Sequence, residues 1–129
     1  MIEVRYSRNS GVEISGTYIE LLRLKQEIEE FLKSDVETLT IEASIDCQPH
    51  PCDITIPKIV IEKGQGPTKV SVINNQEVHI RGDLDNLEMF AIYFEFSAES
   101  TSGDHGHFEY YEDNEWIDRE SEPVVIGVK

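Results

Sequence analysis

A repeat constrains this chain more than any other feature. At a constant offset of 66 residues, NSGVEISGTYIEL from Asn9 lies over NQEVHIRGDLDNL from Asn75. Asn9 meets Asn75, Val12 meets Val78, Ile14 meets Ile80, Gly16 meets Gly82 and Leu21 meets Leu87. The same ungapped register brings Pro57 onto Pro123, PKIVIEK onto PVVIGVK and VRYSRN onto VSVINN. Self-similarity at one offset over nearly the whole chain reads as an internal duplication, so each half supplies the same supersecondary unit. We read one domain over residues 1–129, built of repeats spanning about 1–65 and 66–129.

Each half parses in the same way. Ile2–Ser7 alternates with period two, RNSG turns, and Val12–Ser15 is a second strand. Thr17 with Glu20 forms a capping box, in which hydroxyl and carboxylate satisfy free backbone donors at a helix start. Leu21, Leu24, Ile28, Phe31 and Leu32 follow at helical spacing. Thr38–Ile45 and Ile54–Glu62 read as strands, joined by a proline-containing loop that holds Cys47 and Cys52. In the second half Lys69–Ile73 and Val78–Arg81 repeat the hairpin around NNQE. Asp83 or Asp85 starts the helix, the latter with Glu88 in the capping-box place, and Leu87, Phe90 and Phe94 face inward. MFAIYFEFSAE suits a strand by propensity alone. The capping signal and the repeat favour a helix over residues 86–98. The expected fold is α+β: a tandem ββαββ repeat giving one antiparallel sheet with two helices packed on one face. Two sheets related by a pseudo-twofold axis are the alternative.

Charge narrows the partners. The chain carries 26 acids against 11 lysines and arginines, a formal net charge of −15. Nucleic acid and anionic membrane surfaces would repel it, while a basic protein surface would be attracted. The start, MIEVRYSRNS, has no basic region followed by an apolar run, and no segment approaches the roughly 20 apolar residues that cross a bilayer. A cytoplasmic protein is expected. Two cysteines in such a chain do not make a disulfide framework.

GDHGHFEYYEDNEW, residues 103–116, holds the most suggestive chemistry. The 66-residue offset puts His105 on Leu39, His107 on Ile41, Glu109 on Ala43 and Tyr111 on Ile45. Both histidines and Glu109 would then point to the helix side, with Phe108 and Tyr110 on the opposite face; a slip of one residue reverses this. A His-x-His pair supplies two metal ligands on one side of a strand, but zinc needs a third or fourth. Histidines hydrogen-bonded to neighbours are the plainer reading, and neither metal nor cofactor is assigned. No phosphate-binding loop, nucleophile elbow or His-Glu-x-x-His occurs.

Material for protein recognition is richer. From Glu109 to Glu122 the chain holds seven acids, with Tyr110, Tyr111 and Trp116 among them. Aromatics supply desolvated anchors and carboxylates speed encounter with a basic surface. The candidate partner-binding set is Glu109, Tyr110, Tyr111, Glu112, Asp113, Glu115, Trp116 and Asp118. On the second helix Met89, Ile92, Tyr93 and Phe96 form an extra apolar stripe, where the first half has Arg23, Gln26, Glu27 and Glu30. That stripe is a candidate for self-association as a homodimer, or for a partner or another part of the chain.

At VHIRGDLDNLEMF, HGHFEYYEDNEW and SEPVVIGV, over roughly the last 55 residues, the chain resembles the bacterial immunity proteins called immunity protein 32. The resemblance matches His105 and His107 to the family's histidines, Glu109 and Tyr110 to the acid and aromatic after them, and Val124–Val128 to the closing strand. It implies an antidote of a polymorphic toxin system that binds a cognate toxin and blocks it without chemistry. The first half lacks the histidines. Three classes of function stand in order: a non-enzymatic acidic module binding a basic toxin, a structural or regulatory homo-oligomer, and a metal-dependent enzyme using His105, His107 and Glu109.

Overall fold

Thr17 starts the first helix as its spacing requires. Its hydroxyl accepts the Glu20 backbone N–H at 3.1 Å while the Glu20 carboxylate accepts the Thr17 N–H at 2.9 Å. In the computed structural model, which describes residues 1–129, the elements run β1 (Glu3–Ser7), β2 (Gly11–Gly16), α1 (Tyr18–Lys33), β3 (Thr38–Glu42) and β4 (Ile54–Thr55). They continue with β5 (Lys58–Lys63), β6 (Lys69–Ile73), β7 (Glu77–Gly82), α2 (Leu84–Ile92), β8 (His105–Phe108) and β9 (Val124–Val128). Leu21, Leu24, Ile28 and Phe31 are the buried stripe of α1.

The architecture is α+β, but the strands form two mixed sheets, not the single antiparallel sheet expected. One has the order β4-β1-β2-β9-β8 and the other β3-β5-β7-β6. Hairpins pair antiparallel, whereas β2 pairs with β9 and β7 with β5 in parallel. Each half's hairpin is therefore completed by the other half's closing strand. Alternation identifies the buried face of a strand and leaves its neighbour unnamed, which is why the sequence pointed to the simpler sheet.

Proline marks the crossing. Ile56 donates its backbone N–H to Val4 at 2.9 Å, on the edge of the first sheet; Pro57 follows, and β5 then runs in the second. Likewise Glu122 donates to Val70 at 2.9 Å, Pro123 follows, and β9 runs in the first sheet. With no N–H to give, each proline ends one ladder and lets the chain enter another. The strand expected over Ile54–Glu62 is split at this point into β4 and β5.

The 66-residue offset carries β1 onto β6, β2 onto β7 and the start of α1 onto that of α2. It fails by one residue in each of the last two strands. Phe108 takes the buried place that Ile41 takes in β3, and Val124 and Ile126 take those of Ile59 and Ile61. The two slips have opposite sense and cancel in the pairing. Leu39 and Ile41 face Ile61 and Ile59, as Gly106 and Phe108 face Ile126 and Val124.

Asp83, not Asp85, caps the second helix, accepting the Asn86 N–H at 2.9 Å. The helix stops at Ile92, short of residue 98. Beyond it Tyr93, Phe94 and Glu95 donate to Phe90, Ala91 and Ile92, the tighter i to i−3 pattern. An aromatic and β-branched segment has little helical propensity to resist that tightening. Leu87, Phe90 and Phe94 are buried as expected. Both helices and both sheets feed one hydrophobic cluster.

Glu3 ties the chain's last residue to its first strand, accepting from Lys129 Nζ and from the Arg5 guanidinium. The Lys129 hydrogen bond, reinforced by Arg5, holds the Glu3 carboxyl below its ordinary value. A carboxylate whose folded pKa is depressed stabilises the fold above its unfolded pKa, and that contribution is lost as pH falls through the folded value. Glu3→Gln is expected to flatten the loss of stability on acidification below about pH 4.5. Urea titrations at pH 6 and pH 3.5 measure it, and equal acid losses in wild type and variant contradict it.

Candidate functional site

The loop between β8 and β9 is anchored at its base and free at its tip. Trp116 C=O accepts the Thr68 N–H and Thr68 C=O accepts the Asp118 N–H, both at 2.8 Å, beside β6. Ser121 Oγ accepts the Val70 N–H at 3.0 Å, so the loop covers an edge that would otherwise present unpaired backbone groups. Asn114 is buried, and its Nδ2 donates to the Glu109 carbonyl at 3.0 Å, closing the tip on itself. This residue carried no signal in the sequence, being one polar letter in a polar run.

Within that frame the expected partner-binding residues divide. Tyr110, Tyr111, Glu112, Asp113 and Glu115 are exposed, with Tyr111 58% accessible. Tyr111 donates its hydroxyl to Glu109 Oε1 at 2.8 Å, and that carboxylate raises the phenol pKa. Trp116 packs its ring partly against the core while its Nε1 has no hydrogen-bond partner in the chain. Asp118 turns away: its Oδ1 accepts the Glu120 N–H at 2.8 Å, and it lines a separate groove with Lys69, His79 and Arg81.

The stripe on α2 divides too. Tyr93 stacks edge-on against Phe108 with centroids 5.1 Å apart, and Phe96 packs against the cluster. Met89 and Ile92 stay exposed, Ile92 by 50%. They meet Trp116 in an open cleft of about 520 Å³, rimmed by Asp85, Glu88 and Glu115. The fold thus joins two patches that the sequence offered separately. Asp85 and Glu88 were missing from the expected set, although their helical spacing to Met89 and Ile92 is a legible signal.

His105 and His107 point the other way from the expectation. Both are exposed, and Phe108 is the inward residue of β8, because of the one-residue slip. They line a groove with Glu3, Arg5, Glu13 and His50 on the uncovered face of the five-stranded sheet. No group of three or more His, Cys, Asp or Glu side chains has metal-holding geometry. Cys47 and Cys52 are free thiols, half-buried, and burial pushes the Cys52 thiol up. No helix is long and apolar enough to cross a membrane. No family model matches the chain, and comparison with curated proteins and with solved structures found no match.

Proposed function

We propose that this chain is a non-enzymatic, cytoplasmic binding protein of the immunity type that its second half resembles. It neutralises a basic toxin by covering it. The cleft of Trp116, Met89 and Ile92, ringed by Asp85, Glu88 and Glu115, carries this reading. Apolar side chains with carboxylates beside them suit a protein-binding hot spot, and a chain of net charge −15 selects a basic partner. The exposed Tyr110 and Tyr111 with Glu112 and Asp113 extend the same surface along the anchored loop. The tandem ββαββ duplication belongs to the same proposal. It is supported by the paired hydrogen bonds from Ile56 to Val4 and from Glu122 to Val70. One copy then kept a wet helix face while the other acquired the cleft.

Capture from the native host's lysate, at low salt and again at high salt, tests the reading. The expected result is one stoichiometric basic protein, released as salt shortens the Debye length from about 10 Å at 0.1 M to about 3 Å at 1 M. Trp116→Ala should weaken the complex by about 2 kcal/mol or more, a thirtyfold or larger change in Kd. Unchanged affinity in that variant removes the cleft from the interface. Met89 and Ile92 also suit a homodimer, the second reading. Concentration-dependent dimerisation abolished by Ile92→Glu would favour it over the toxin-binding one.

A further inference from the structure

We propose that His105 and His107 form an open, two-ligand site for a divalent transition metal of the zinc, copper and nickel class. Alternate residues of a strand share a face, and on β8 this brings the two imidazoles together edge to face, with centroids 5.0 Å apart and planes at 78°. Both rings are exposed to an incoming ion. A carbonyl only accepts, so the 2.8 Å contact between His105 Nδ1 and the Gly103 carbonyl makes Nδ1 the donor. The lone pair of that ring therefore lies on Nε2, and an imidazole held by a carbonyl behind it is the usual arrangement of a metal-binding histidine.

The surroundings fit the same reading. Gly127 is the cross-strand partner of His105, and a Cβ there would lie 3.2 Å from His105 Cβ and 3.3 Å from the Asp104 carbonyl oxygen, so glycine lets β8 and β9 approach closely at this pair. The groove, of about 480 Å³, also takes in His50, so three of the chain's four histidines line one wall-to-wall space. Its cations are compensated: Lys129 and Arg5 are held by Glu3, and Arg5 also by Glu13. Asp104 is occupied with the Thr101 N–H at 2.9 Å. With no third convergent ligand, the remaining coordination positions belong to water or to a group on a bound molecule. The groove shares no residue with the Trp116 cleft, so the site stands apart from the toxin-binding reading. It is confined to one half of the chain, since the corresponding exposed positions of β3 are Thr38 and Thr40.

Calorimetric titration of the untagged protein with zinc chloride tests the site. One zinc ion per chain is expected, with the affinity falling at least tenfold in His105→Ala and in His107→Ala. His79→Ala and the double variant Cys47→Ser, Cys52→Ser should bind zinc as the wild type does. Because both histidines are exposed, their variants keep the fold and the comparison is direct. Absence of zinc binding by the wild type, or binding that survives both histidine substitutions, overturns the proposal.

Discussion

Phe108→Ala should lower the unfolding free energy by about 3–5 kcal/mol, whereas His107→Ala should change it by no more than about 0.5 kcal/mol. Phe108 is fully buried and makes edge-on contacts with Phe90 and Tyr93, at centroid distances of 4.9 and 5.1 Å. Truncating it leaves a cavity where both helix end and sheet meet, and the T-shaped pairs are lost with it. His107 is exposed on the other face, where its ring meets that of His105, itself exposed. Urea denaturation of the two variants reads the orientation of β8 directly. A costly His107→Ala with a mild Phe108→Ala would return the strand to the ungapped register.

Gly11→Ala should cost about 3 kcal/mol or more, adding a left-handed backbone to a steric overlap. Gly11 has φ 86°, and a Cβ there would lie 2.3 Å from the Pro123 carbonyl oxygen. That oxygen also accepts the Val12 N–H at 2.8 Å, the bond that seats β9 beside β2. The substitution therefore strikes the junction between the two halves. Gly66, at φ 77° with nothing within 4 Å of its ideal Cβ, is the control. Gly66→Ala should cost only the conformational part, about 1–2 kcal/mol. Thermal unfolding of both variants separates the two contributions, and equal shifts would mean that β9 does not press on Gly11.

What the letters disclosed followed from locality. The α1 capping box and the inward faces of both helices depend on residues within a turn or two of each other, and spacing alone finds them. The sheet partners do not. Nothing near Val12 announces that its parallel neighbour is Val124, and Lys129 reaches Glu3 across 126 positions. The face of the histidine strand is illegible for a subtler reason. The 66-residue offset runs past two opposite slips that cancel in strand pairing, so the letters stay alignable while the faces exchange. The candidate cleft was half legible: Trp116 and Met89 each stood out, and only the fold brings α2 and the anchored loop to one rim.

Hydrogen–deuterium exchange of the wild-type chain, with and without a basic protein captured as proposed, tests that rim as the recognition surface most directly. Protection on binding should concentrate at residues 85–92 and 109–116, with the outer faces of β1 and β2 unchanged. Protection confined to those outer faces, or to β3, would contradict the account and place recognition elsewhere on the molecule.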